Sequence, residues 1–438
     1  MDKLSLWRQM RKMEMNEQKH SQAAILGLQH LLAMYAGSIL VPIMIAGALN
    51  YSAEQLTYLI STDIFMCGVA TFLQLQLRKH FGVGLPVVLG CAFQSVAPLS
   101  IIGAKQGSGY MFGALIVSGI YVILISGIFS KIADFFPPVV TGSVITTSGL
   151  TLIPVAIGNM GNNANSPTAQ SMILALITIA IVLAVNVFAK GFIKSIAILI
   201  GLIGGTIIAA FIGLVDTSVV TEAPLVHIPQ PFYFGAPKFE ITSIVMMCII
   251  ATVSMVESTG VYLALSDLTG ENLDSKRLRN GYRAEGAAVL LGGIFNTFPY
   301  TGFSQNVGLV RISGIKTRRS IYYTALFLII LGLLPKFGAM AQMIPSPVLG
   351  GAMIVLFGMV ALQGMQMLNQ VDFQHNEHNF IIAAVSIACG VGFDGTNLFD
   401  SLPSTLQMFL TNGIVIATLF AVVLNLILNG KTKTEETK

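Results

Sequence analysis

Two polar groups lie where an apolar chain has little use for them. Glu257 occurs in SMVESTGVY, in the middle of an apolar run, with no basic residue three or four positions away. A carboxylate only accepts hydrogen bonds and takes two parallel N–H donors. That suits a planar heterocycle with adjacent N–H groups; an ion pair with Arg311 or His30 is the other way to neutralise it. Gln305 and Asn306 lie in the stretch 296–319, NTFPYTGFSQNVGLVRISGIKTRR, which also carries Pro299, Gly302, Gly308, Arg311 and Gly314. Amide side chains and broken backbone belong at membrane depth only where they face protein or a water-filled cavity. A glutamine offers one acceptor and two donors in one plane, which complements the mixed edge of an oxo-purine. Asn306 is open to the same use, or to capping the helix that restarts there. Backbone N–H groups freed at that restart, near Ser304, are further donors.

Other polar residues inside apolar runs have two readings each. His30, in QHLLAMYAGSILVP, either ties its helix to a neighbour or works directly on substrate or proton. Asp63, in STDIFMCG, costs about 2.5–3.5 kcal/mol to place alone at membrane depth, so it ties helices together or faces a cavity. Glu285, in RAEGAAVL, is a boundary charge or a proton carrier. Phe93 offers a ring face on which a base can stack. The four cysteines fall inside apolar runs without CxxC spacing, so spacing supports neither a metal site nor a disulfide frame. They read as small buried hydrophobes.

The elements that position these residues follow from composition. The chain has 438 residues, 54% hydrophobic and 10% charged, with a mean hydropathy of +0.77. Soluble domains carry about 25% charged residues. Apolar runs of about 20 residues match helical spans and exclude the short alternating segments of an outer-membrane barrel. The N-terminus is charged and lacks a cleavable signal pattern. Fourteen spans are expected, at 24–48, 54–77, 83–103, 109–130, 137–157, 168–188, 192–214, 241–265, 281–297, 299–315, 320–341, 344–362, 378–395 and 408–429. With both termini inside, the inner segments hold twenty Lys and Arg and the outer loops three, Lys105, Lys238 and Lys336. This is a strong positive-inside bias. The net charge of +4 therefore comes from loops and is no nucleic-acid signal.

The two halves correspond. The first span matches the eighth at an offset near 217 residues, and GLPVVLGCAFQSVAP in the third matches TFPYTGFSQNVG in the tenth. Seven spans per half is an odd number, so the halves have inverted topology. Paired interrupted segments in inverted halves point to a transporter's midplane site. The segments 159–167, 216–240 and 363–378 read as connectors.

With these residues assembled, the chain resembles the nucleobase–ascorbate transporter family, also called nucleobase:cation symporter family 2. The family signature, Gln/Glu/Pro-Asn-x-Gly-x4-Thr-Arg/Lys/Gly, reads here from Gln305 through Asn306 and Gly308 to Ser313 and Gly314, with Ser313 in place of Thr. The family's Gln-His pair is Gln29-His30, in the motif that also holds Gly37, a further candidate for substrate contact, and its glutamate is Glu257 in ESTG. The resemblance implies an all-α polytopic membrane protein of two inverted seven-segment repeats, with short β-strands in spans 3 and 10. It implies a core domain (24–130 and 241–341), a gate domain (137–214 and 344–429), a homodimer through the gate domain and a place in the cell membrane with cytoplasmic termini. It also implies secondary transport of a purine nucleobase by proton symport. The residues themselves present no Ser/His/Asp set, metal-ligand cluster or phosphate loop, so neither enzyme activity nor a cofactor or metal is expected, and the loop charges call for no nucleic-acid partner. Uracil permeases carry Glu where this chain has Gln305. The pattern of 296–308 and VESTGVY look most like bacterial xanthine permeases, with urate, then hypoxanthine or guanine, as alternatives. Several members carry His or Asp four residues after the glutamate, where this chain has Val261. The related sulfate-permease fold of anion transporters is the more distant alternative. It would want a cationic site.

Overall fold

The computed structural model describes residues 20–77, 80–132, 137–162, 167–314 and 316–430. Both termini, where much of the orienting charge lies, fall outside the described residues. A helix lies in each of the fourteen expected segments. In the first half these are α1 (His20–Leu49), α2 (Ala53–Leu75), α3 (Val96–Gln106), α4 (Ser108–Ile132), α5 (Pro138–Met160), α6 (Ala169–Phe188) and α7 (Ala197–Phe211). In the second half they are α8 (Ile241–Thr269), α9 (Ser275–Ile294), α10 (Ser304–Ser313), α11 (Arg318–Gly332), α12 (Ser346–Leu368), α13 (Glu377–Phe393) and α14 (Gly413–Leu428). Among the described residues, seven helices are long and apolar enough to cross a membrane, or eight if a bent pair is one span.

The departures from simple spans have local causes. The eleventh segment bends by 78° between α11 and the short helix Pro335–Gln342. Pro335 stands at the first turn of the second piece, and the residue before a proline is driven out of helical conformation. The ninth helix starts at Ser275, earlier than its apolar run, because Asp274 caps it by accepting from the Arg277 N–H at 2.8 Å. The segment 216–240 is more than a connector. The Tyr58 hydroxyl donates to the Gln230 carbonyl at 2.7 Å, and Tyr58 stacks on Tyr233 with ring centroids 3.8 Å apart.

The third and tenth segments are the interrupted ones. Each opens with a short strand, β1 (Leu89–Cys91) and β2 (Tyr300–Gly302), before α3 and α10 respectively. The strands pair antiparallel, Leu89 with Gly302, Gly90 with Thr301 and Cys91 with Tyr300. The Ala92 N–H donates to the Pro299 carbonyl and the Phe303 N–H to the Val88 carbonyl, each at 2.9 Å. The outer edges are covered by side chains. Thr71 Oγ1 of α2 accepts from the Leu89 N–H at 3.0 Å, and Ser258 Oγ of α8 accepts from the Gly302 N–H at 2.9 Å.

Helix packing falls into two sets. In one, α4 lies along α9, α2 along α11, α1 on α11, and α8 on α4. In the other, α5 lies along α12, α6 on α7, α13 on α14, α6 and α7 on α12, and α13 and α14 on α5. Exchanging helix n with helix n+7 maps every one of these pairs onto itself or onto another in the same set. Small residues let the axes approach, as expected where packing rather than water drives association. A Cβ added at Gly119 would stand 2.4 Å from the Leu290 backbone nitrogen, and one at Gly364 would stand 2.3 Å from that of Thr146.

Gly119→Val should overpack the α4–α9 seam at a cost of about 1–3 kcal/mol, seen as a lower melting temperature of the purified protein in detergent. Gly358→Ala, whose added carbon meets nothing within 4 Å, should leave it unchanged.

Candidate functional site

The strand pair places the starts of α3 and α10 end to end, beside the middle of α8. Around this junction lies a cavity of about 30 Å³, lined by Phe93, Gln94, Glu257, Ser304, Gln305 and Gln363 among others. That volume holds about two waters. A second cavity of about 520 Å³ shares Ile145, Glu257, Ser304 and Gln363 with the first and continues past Asp267, Arg311 and Gln370. Four sequence candidates, Phe93, Glu257, Ser304 and Gln305, are thus brought to one place.

Glu257 is held by neutral partners. Gln94 Nε2 donates to its Oε2 at 2.8 Å and the Thr301 hydroxyl does so at 3.4 Å. Gln94 Nε2 also lies 3.0 Å from Ser254 Oγ. The carboxylate is therefore fixed through one oxygen. Among the described residues no hydrogen bond reaches Oε1, and Glu257 forms no ion pair with Arg311 or His30, which removes the alternative considered from the sequence. Gln94 was missed as a site residue. Its signal was present, since it follows Phe93 where the third segment restarts, as Gln305 follows Ser304 in the tenth. Phe93 meets Phe357 of α12 edge-on, ring centroids 5.7 Å apart.

The other candidates stand behind this wall. Asn306 turns away from the cavity: its Nδ2 lies 3.1 Å from His30 Nδ1 and donates to the His30 carbonyl at 3.3 Å. His30 and Asn306 together tie α1 to α10. Gly37 does not line the cavity; it makes room behind it, since an added Cβ would stand 2.8 Å from Phe303 Cζ. Asp63 reaches both strands. The Tyr300 hydroxyl donates to its Oδ1 at 3.1 Å and the Cys91 thiol to its Oδ2 at 2.7 Å, with Cys67 Sγ 3.9 Å from the same oxygen. The fold thus gathers Asp63, Cys67 and Cys91, whose separation along the chain gave no such hint. Cys91 and Tyr300 act there as hydrogen-bond donors, so the cluster satisfies a buried carboxylate and pins β1 and β2 to α2. Glu285 accepts from the Tyr262 hydroxyl, which Gln74 Nε2 also contacts. It is 2% exposed and lines neither cavity. Arg311 lines the larger cavity on the last turn of α10.

Half-helices that begin beside a half-buried carboxylate and amides, between two sets of apolar helices, are the arrangement of a multi-pass membrane protein built for transport. The chain belongs to the permease family designated Xan_ur_permease, which matches residues 21–395. It is 51% identical over 415 residues to the xanthine permease of Bacillus subtilis (strain 168), covering 94% of each chain. It is 49% identical over 416 residues to the uric acid permease PucK of the same organism, covering 94% of this chain and 96% of that one. The uric acid transporter UacT of Escherichia coli (strain K12) is 38% identical, covering 93% and 86%. These relatives are permeases, and the chain is a transporter rather than an enzyme. Two solved structures share the fold: the transmembrane domain of a cyanobacterium bicarbonate transporter, BicA (TM-score 0.58, 13% identity, 93% of this chain and 97% of that one), and SLC26A9 (TM-score 0.63, 14% identity, 94% and 67%).

Asp63→Ala should take the carboxylate acceptor from the buried Cys91 thiol, while the Tyr300 hydroxyl keeps Thr297 Oγ1 at 2.7 Å, at a cost of about 1–3 kcal/mol for the unsatisfied group. The melting temperature in detergent should fall clearly, and Asp63→Asn, which keeps one acceptor oxygen, should recover part of the loss.

Proposed function

We propose that this permease imports a purine nucleobase, xanthine in the first place, together with protons. One observation carries the reading. Glu257 is anchored through Oε2, so Oε1 is left for a ligand beside the Gln305 amide. Xanthine presents a ring N–H flanked by two carbonyl oxygens. A carboxylate oxygen flanked by amide N–H groups complements that edge, and Phe93 supplies a ring beside it. Ser304, at the start of α10, adds free backbone N–H groups. The 51% identity to a xanthine permease supports the substrate. Urate presents the same edge, and the 49% identity to a uric acid permease makes it the second reading. The anion-transporter reading lacks support at the site, since among the described residues no Lys or Arg lines the smaller cavity, and Arg311 lines only the larger one.

The proposed architecture is fourteen segments in two inverted repeats. Segments 1–4 and 8–11 form the core, segments 5–7 and 12–14 the gate, and two copies join through the gate. The two packing sets, and their invariance under exchange of n with n+7, support this arrangement. The larger cavity ends near Asp267 and Arg311, on the side the loop charges assign to the cytoplasm, so the conformation reads as inward-facing. Glu257, which meets both substrate and solvent, and Glu285, behind it, are the proposed proton carriers. His30 and Asp63 serve the helix ties described above.

Labelled xanthine uptake into proteoliposomes should rise with an inward proton gradient. Glu257→Gln and Gln305→Ala should each lower it at least tenfold, the scale of a lost hydrogen bond involving a charged or buried polar group; normal uptake by either variant ends the site assignment. Stronger competition by unlabelled urate than by xanthine itself would move the substrate to urate. Glu285→Gln should retain exchange of xanthine across the membrane while losing gradient-driven accumulation.

A further inference from the structure

The gate set contributes few polar atoms to the smaller cavity. From α5 come Ile145 and Ser148, and from α12 come Val360 and Gln363. The Ser148 hydroxyl donates to the Val144 carbonyl of its own helix at 2.8 Å. Gln363 is therefore the side chain from this set whose polar atoms are available to the cavity. Its Oε1 accepts from the Ser304 hydroxyl of α10 at 2.9 Å. The same hydroxyl lies 3.3 Å from Gln305 Oε1, and with one proton it serves the nearer acceptor. Among the described residues no hydrogen bond engages Gln363 Nε2.

The position of this bond matters as much as its length. Ser304 and Gln363 belong to both cavities, so the bond lies in the wall between them. It also joins the two packing sets, which must move against each other for alternating access. The smaller cavity holds about two waters, so a bicyclic base arriving from the larger cavity has to displace part of this wall.

We propose that Gln363 is the gate's own contact with the substrate, and that the Ser304–Gln363 hydrogen bond is a latch which the substrate replaces. The Gln363 amide, released from Ser304, donates to a ring oxygen of the oxo-purine on the side away from Gln305. Core and gate are then joined through the base when it is bound and through Ser304 when it is absent. The ligand class rests on the function proposed above.

The test is equilibrium binding of labelled xanthine to the full-length purified protein in nanodiscs, for wild type, Gln363→Ala and Ser304→Ala. A residue that merely closes the wall and one that contacts substrate give different patterns. If the bond were only structural, removing either partner would shift affinity in the same direction. If substrate displaces the latch, Gln363→Ala weakens binding about tenfold, the equivalent of one hydrogen bond, and Ser304→Ala tightens it by freeing Gln363. Gln363→Glu, which loses both N–H donors, should weaken binding more than Gln363→Ala does. Wild-type affinity in Gln363→Ala, or shifts of the same sign in Gln363→Ala and Ser304→Ala, overturns the proposal. A wild-type protein that binds neither xanthine nor urate overturns the functional reading itself, and is told apart because it needs no variant.

Discussion

Backbone polar groups at membrane depth need partners, and water is not there to supply them. The third and tenth segments break this economy by leaving helical geometry midway. The structure meets the cost by making each break the other's partner. Leu89–Cys91 and Tyr300–Gly302 pair with each other, Thr71 and Ser258 cover the edges, and Asp63 holds Cys91 and Tyr300 from one side. Everything at the site follows from that pairing. It sets the two helix starts against each other and leaves their free N–H groups at the point where Glu257 arrives from α8.

The inventory of polar side chains divides accordingly. Those within reach of the strand junction face the cavity; those one layer out hold the layer in place. His30 and Asn306 tie α1 to α10, Glu285 sits with Tyr262 and Gln74 between α9, α8 and α2, and Gly37 gives Phe303 its room. The outer layer makes the inner one rigid, which is what a site needs if its hydrogen bonds are to discriminate between bases.

Much of this was legible in the amino-acid sequence, for reasons that can be named. Glu257 and Gln305 stood out because a charge or an amide in an apolar run is rare and costly. The interrupted segments stood out because Pro and Gly break a 20-residue pattern. What stayed hidden depended on contacts between distant segments. Asp63 and Cys67 lie one turn apart on α2, but Cys91 joins them only when β1 folds against that helix. Asn306 carries the same chemistry as Gln305, one position along, but a helix turns successive side chains by about 100°, so one faces the cavity and the other faces His30. Gln94 was the avoidable miss, because the symmetry that paired the two interrupted segments already paired it with Gln305. The 78° bend of the eleventh segment was signalled by Pro335, yet a proline marks the place of a break and not its angle.

The small volume of the inner cavity has a consequence for ion leakage. Protons cross proteins along continuous files of water, and among the described residues a space for about two waters, with the Ser304–Gln363 hydrogen bond on its lining, is a narrow place in any such file. If uptake is driven by protons as proposed above, that narrowness is what keeps an empty carrier from short-circuiting its own driving force.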